Sequence, residues 1–353
     1  EVLVGAGRGT NGALNDFFDG AILEVIVFDV ALDDWNIRRL EGYLAHKWGL
    51  AGSLPSNHAF RNQPPTFGGP QTITFADDGS IALNATKTPD AYARRTGPLD
   101  KIVLTSRVRL ARNLEAVSFP GHSKKAQRVK ALESLLPAVS ELDSMQGGAH
   151  EGMGKLTALE KQILVERHLI SREHAARGVG SAVVLSKDEV ISVMINEEDH
   201  LRMQVILPGL QVKEAWKKID SFDSQLENVV PYAFSAKYGY LTACPTNLGT
   251  GIRVSAMLHL PGLVLAELIN QIITSVNKLG LAVRGLYGEG TEALGNVFQV
   301  SNQMTLGESE AEIVEKLNKV VLQIVENEEN ARQKVLETNP KMLLNHIGRA
   351  YGI

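Results

Sequence analysis

The chain has 353 residues, 44% of them hydrophobic, and a formal net charge of −4. That length allows two domains or one large one with a sizeable core, and the charge excludes a globally basic nucleic-acid binder while leaving room for a local basic site. The single cysteine, Cys244, excludes an internal disulfide and suits a reducing, cytoplasmic compartment. No apolar run reaches the roughly 18 residues of a membrane span, and no signal peptide is evident, so neither nucleic acid nor membrane is expected as a partner.

Residues 21–30, "AILEVIVFDV", are rich in β-branched residues and read as a strand. In the following "DDWNIRRLEGYLAHKWGL", Trp35, Leu40, Tyr43, Leu44 and Trp48 recur at helical spacing, with Asp33 or Asp34 as a cap. A loop rich in Pro, Gly and Asn closes this stretch. Residues 1–62 resemble the end of a laminin-G-like, concanavalin-like sandwich domain. Such a sandwich needs more strands than this stretch supplies, so 1–70 reads as an incomplete remnant. Residues 71–100 read as a linker with one short strand. The chain begins at Glu1 rather than Met and stops at "GRAYGI", which reads as a fragment or a fused frame.

From residue 101 the pattern changes. "DKIVLTSRVRLARN" opens with a strand. "AQRVKALESLLPAVSEL" and "TALEKQILVERHL" are helical, the second capped by Thr157 with Glu160 three residues on. "SAVVLS", "VISVMIN" and "RMQVIL" are strands, and "QVKEAWKKIDSFDSQLENVV" is a helix. "FSAKYGYLTAC" and "IRVSAMLHL" read as strands, and "LVLAELINQIITSVNKLG" as one helix ending on Gly280. "LAVRGLYG" and "NVFQVSN" are further strands. A long amphipathic helix follows, apolar at Ile313, Leu317, Val320, Val321 and Ile324. Strands come in adjacent groups rather than in βαβ alternation, which predicts an α+β fold with a largely antiparallel sheet flanked by helices.

Two features carry chemistry. Arg107 and Arg109 are two apart on a strand and so share a face, while Arg202, Arg253 and Arg284 sit beside acidic or glycine-rich stretches. Read alone, the first pair could be a solvated edge strand with alternating charge. Several guanidinium groups converging on one point would instead bind a polyphosphate. The second feature is "NEEDH", where Glu197, Glu198 and Asp199 stand in a row at the end of an apolar strand. "CPTNLGTGIR" adds a glycine loop, but no Gly-Lys-Ser/Thr follows it, so it is not a P-loop, and no dinucleotide fingerprint is present.

"TSRVRLARN", "NEEDHLRMQ", "YLTACPTNLGTGIR" and "RGLYGEGTEALGNVFQVSNQMTLG" occur in the order found in the ATP:guanido phosphotransferases. Residues 97–353 resemble this superfamily, and among its members the bacterial protein-arginine kinases are the more similar. The resemblance implies a phosphagen kinase, glutamine synthetase-like catalytic domain over 101–335. A truncated C-terminal domain would start at 336–353; a homodimer stays open, because that domain is the one linked to dimerisation. It implies ATP and Mg²⁺ as cofactors and proteins with exposed arginines as acceptors. The nucleotide would be held by Ser106, Arg107, Arg109, Arg202, Arg253, Arg284 and Gly285, with His168 against the base. Glu198 would orient the guanidinium and take its proton, Glu289 would flank it, and Cys244 would be the reactive cysteine beside it. Nothing ahead of residue 101 resembles the helical N-terminal domain of the small-molecule phosphagen kinases, which favours an arginine presented on a protein. Two other readings stay open: a phosphagen kinase for free arginine or another small guanidino substrate, and a carbohydrate-binding surface protein with a silent kinase region.

Overall fold

The computed structural model describes residues 7–8, 14–15, 45, 52, 54–59, 61–62, 72–75, 81–84, 96–285 and 294–351. The chain divides into two compact units, 69–338 on the one hand and 1–68 with 339–353 on the other. In the smaller unit Gly7–Arg8 pairs antiparallel with Leu14–Asn15, and Pro340–Tyr351 forms a helix. The strand expected over 21–30 and most of the helix after it lie outside the described residues, and so does the laminin-G-like resemblance built on them. In the larger unit the stretch expected to be a linker holds two short strands, Thr72–Phe75 and Ile81–Asn84, paired as a hairpin.

The main body of the larger unit is one antiparallel sheet. Its strands are β1 (Val103–Arg112), β2 (Ala149–Gly152), β3 (Ala182–Leu185), β4 (Ile191–Ile195), β5 (Leu201–Pro208), β6 (Ile252–His259), β7 (Leu281–Gly285) and β8 (Val297–Asn302), in the spatial order β7-β8-β6-β1-β5-β4-β3-β2. Every neighbouring pair is antiparallel, as the grouping of strands in the sequence predicts.

Alternation gives the sheet two unlike faces. On one face Val108 and Leu110 of β1 lie opposite Val254 and Ile252 of β6 and Val205 and Met203 of β5. These residues join a core closed by helices α1 (Lys125–Ser140), α4 (Val212–Glu227) and α7 (Glu310–Thr338). Ile313, Leu317, Val321 and Ile324 of α7 are buried there, on the stripe read from the sequence. On the other face Arg109 lies opposite Arg253, and Arg107 opposite Ser255. Arg202 pairs with Ala111, two residues along from Arg109. At the β2–β3–β4 end a second cluster covers this face, with Leu164 of α2 (Ala158–Glu166), Leu169 and Ile170 packed on Val183 and Met194, and Ala175 of α3 (Arg172–Ala175) against them. Over β1, β6 and β8 it stays open among the described residues.

Two further expectations change, and one strand was not expected. The single helix expected over 263–280 is two, α5 (Pro261–Leu265) and α6 (Ile269–Lys278). The break falls at Glu267, whose φ is +59°, where the Leu268 N–H reaches back to the Leu263 carbonyl. "FSAKYGYLTAC" is a hairpin of two-residue strands, Phe234–Ser235 and Gly239–Tyr240, rather than one strand. Gly239 has a φ of +74°, and a Cβ there would meet the Gly249 carbonyl oxygen at 2.5 Å, so the chain turns and its remainder is free to form a loop. β2 lies in a glycine-rich stretch with no strand pattern; pairing with β3 overrides its weak propensity.

Candidate functional site

The open face carries a cleft of about 700 Å³. Arg107 and Arg109 of β1, Arg202 of β5, Arg253 of β6 and Arg284 of β7 all line it, so register alone gathers five guanidinium groups from four strands. Polar side chains of β8 and the residue beyond it, Gln299, Ser301 and Gln303, complete the floor. Glu198, Cys244, Thr246 and Asn247 form part of the wall.

The cations strain one another. Burial and then the charges of Arg107, Arg202 and Arg253 hold the Arg109 guanidinium well below its ordinary pKa. Burial, Arg284 and Arg202 lower that of Arg253. Arg202 goes the other way: burial lowers its pKa, but the Glu197 carboxylate at 2.6 Å more than offsets this. Among the described residues, Arg109, Arg253 and Arg284 enter no ion pair, and the buried Nε of Arg109 has no hydrogen-bond partner. Such a cluster is relieved by an anion from outside.

The three consecutive carboxylates separate. Glu197, 1% exposed, turns inward to Arg202 and accepts a hydrogen bond from the Ser171 hydroxyl. Burial raises its pKa, yet Arg202 and the Ser171 bond outweigh burial and hold it below the usual glutamate range. Asp199 also turns inward and accepts from Asn113 Nδ2 at 2.6 Å and from the Ala243 N–H at 2.7 Å. Only Glu198 reaches solvent and lines the cleft. Desolvation by the cleft wall and the charge of Asp199 push its pKa up.

Cys244 stands at the start of a short turn, its Sγ 3.0 Å from Thr246 Oγ1. The loop behind it is tightly seated. A Cβ on Gly249, whose φ is +107°, would meet the Thr305 carbonyl oxygen at 2.4 Å, and one on Gly251 would meet that of Ala111 at 2.6 Å. Beneath the loop Arg112, 2% exposed, is paired with Asp223 at 2.6 Å, donates to the Thr250 carbonyl at 2.8 Å and lies 3.6 Å over the Tyr240 ring.

His168 borders a smaller hollow that shares Arg107 and Gln299 with the cleft and has Ile206 and Met257 as apolar walls. Its backbone carbonyl accepts from Gln204 Nε2 at 2.7 Å. Ser106 departs from its expected place. It lies on the helix-covered face, fully buried, and its hydroxyl donates to the Gly209 carbonyl and accepts from the Gln211 N–H. One residue of strand alternation separates it from Arg107, so its side chain points away from the cleft. Gly285 ends β7 opposite Phe298 and is not among the cleft's lining residues. Glu289 lies outside the described residues.

Reading the sequence missed the polar lining of β8 and the Arg112–Asp223 foundation. Both left a trace. Gln299, Ser301 and Gln303 alternate with period 2 along a strand, and Asp223 interrupts the apolar face made by Ile219, Phe222 and Leu226.

An antiparallel sheet with one helix-packed face and one cationic, carboxylate-edged face fits the class of proteins that handle a polyphosphate, the phosphotransferases among them. Comparison with known proteins agrees. The ATP:guanido phosphotransferase C-terminal catalytic domain matches residues 131–331. The chain is 49% identical over 259 residues to a protein-arginine kinase of Pelotomaculum thermopropionicum, covering 72% of this chain and 73% of that protein. It is 45% identical over 271 residues to that of Bacillus subtilis, covering 74% and 73%. Among solved structures it resembles lombricine kinase, with a TM-score of 0.59, 25% identity and 74% of each chain covered. The duplicated taurocyamine kinase of Schistosoma mansoni with bound transition-state-analogue components gives a TM-score of 0.60 at 26% identity; the match spans 73% of this chain but 36% of that one. The chain belongs to the ATP:guanido phosphotransferase family.

Proposed function

We propose that the chain transfers the γ-phosphoryl group of ATP to the guanidinium of arginine residues in proteins. The observation that carries this reading is the cleft itself: five arginines, one solvent-reaching carboxylate and a free thiol on one sheet face, in a chain 45–49% identical to proteins named protein-arginine kinase.

The chemistry follows from the charges. The five arginines clamp the polyphosphate and neutralise the moving group, which is most of what phosphoryl transfer requires. The hollow beside His168, walled by Ile206 and Met257, suits the nucleotide base. A guanidinium has a pKa above about 12 and is no nucleophile while protonated. Glu198 holds it, accepts one N–H proton, and leaves a nitrogen lone pair to attack the γ-phosphorus as the bond to the bridging oxygen breaks. The products are phosphoarginine and ADP, with the proton on Glu198. Cys244 lies at the same wall to orient the acceptor, and Cys244→Ser is expected to keep the fold and lose most activity. Mg²⁺, when bound, adds neutralisation of phosphate charge. Among the described residues no group of three or more His, Cys, Asp or Glu side chains could hold a metal. Mg²⁺ would enter with the nucleotide, as MgATP, in keeping with its usual binding through substrate phosphates.

The solved relatives named for taurocyamine and lombricine keep a small guanidino acceptor as the second reading. Incubation with ATP, a protein acceptor and free arginine separates the two. Phosphate on protein arginine is the expected result; phosphate on free arginine alone overturns the proposal. A cytoplasmic setting is supported by the single free thiol. Among the described residues no helix is long and apolar enough to cross a membrane.

A further inference from the structure

Glu198 and Cys244 reach the cleft from separate segments, the β4–β5 turn and the loop before β6. One residue behind each, the two segments are joined. Asp199, next to Glu198, accepts from the backbone N–H of Ala243, next to Cys244, at 2.7 Å. The same carboxylate oxygen accepts from Asn113 Nδ2 at 2.6 Å. Asn113, 1% exposed at the end of β1, is fully used. Its second N–H donates to the Leu241 carbonyl at 3.0 Å, and its oxygen accepts from the His200 backbone N–H at 2.9 Å. One amide thus ties a sheet strand to the carboxylate turn on one side and to the cysteine loop on the other.

We propose that Asn113, through Asp199, is a positioning residue that fixes Glu198 and Cys244 at the spacing the acceptor guanidinium requires. A carboxamide is what the place demands, because it alone at this length offers two donors and an acceptor in one plane. An aspartate would set a second anion against Asp199, and an apolar residue of similar size would leave Asp199, Leu241 and His200 short of partners. The arginine seat does not depend on the tie: Arg107, Arg109 and Arg253 are held by the register of β1 and β6.

The inference rests on the proposed phosphotransfer, so its test has one arm that uses turnover and one that does not. In Asn113→Ala and in Asp199→Asn, kcat on an arginine-bearing protein is expected to fall about 10²-fold, the loss typical of a misplacement near 1 Å, while KM for ATP stays within about twofold. In the same variants the rate of Cys244 alkylation by iodoacetamide is expected to change about threefold or more as the loop shifts. Unchanged kcat and unchanged alkylation in both variants overturn the proposal. So does a parallel loss of kcat and ATP affinity, which would mark a merely structural residue. Should the wild-type chain phosphorylate no guanidino acceptor, the functional reading falls and the alkylation arm still decides the tie.

Discussion

Two arginines three positions apart on β1 show the two uses to which the sheet puts the same side chain. Arg112 faces the helices and is fully engaged, by Asp223, by the Ala111 and Thr250 carbonyls and by the Tyr240 ring. Arg109 faces the cleft, is crowded by three other arginines and, among the described residues, has a buried Nε with no partner. A buried charge with its counter-ion inside the protein serves the fold. One left beside its own kind serves a ligand, at some cost to stability.

Substitution can break that comparison in order of effect. Arg109→Met is expected to lower phosphoryl transfer about 10³-fold or more, as loss of a transition-state arginine does, without lowering the melting temperature, since it removes repulsion; turnover and a thermal melt read both. Glu198→Gln should lower kcat by about 10²–10⁴-fold, the usual worth of a positioned general base, with ATP affinity kept. Because the Glu198 pKa is raised, wild-type activity is expected to decline on the acid side at a pH above the usual glutamate value, and a rate profile shows where. Arg112→Met should leave Asp223 buried and unpaired and destabilise the protein by about 3–5 kcal/mol, measured by urea unfolding.

The smallest effect concerns His174, whose Nε2 lies 3.0 Å from the Ala182 carbonyl beneath the second cluster. Burial pushes its pKa from 6.5 down to about 4. The unfolded chain therefore binds a proton that the folded chain refuses. That stability is fully present above pH 6.5 and is lost as pH falls toward about 4, by on the order of 3 kcal/mol. Replacing His174 by Asn should flatten the decline; an unaltered pH–stability curve would remove His174 from the account.

Much of this was legible in the sequence because it depends on period. Alternation put Arg107 and Arg109 on one face, and the helical stripe of Ile313, Leu317, Val321 and Ile324 found the core. The antiparallel class followed from the grouping of strands. What escaped depends on pairing across distance. Nothing local says that Asp223 serves Arg112, that Asn113 serves Asp199, or that Glu197 turns inward while Glu198 turns out. The family motif included Ser106, but alternation already opposed it: a residue next to Arg107 in a strand faces the other way. The break at Glu267 was invisible because its neighbours are ordinary helix formers. Nearby, the Glu328 carboxylate on α7 accepts the N–H groups of Gly262 and Leu263 at the start of α5.

The place of β7 at the end of the sheet bears on how nucleotide enters. β1, β5 and β6 are each hydrogen-bonded on both sides, whereas among the described residues β7 has β8 alone as a neighbour. Four of the five cleft arginines thus ride on inner strands, and Arg284 rides on a margin held from one side only. A strand with fewer hydrogen-bonded neighbours is expected to open at lower free energy. Backbone amides of Leu281–Gly285 should exchange with solvent sooner than those of Val103–Arg112, and ATP should slow them most.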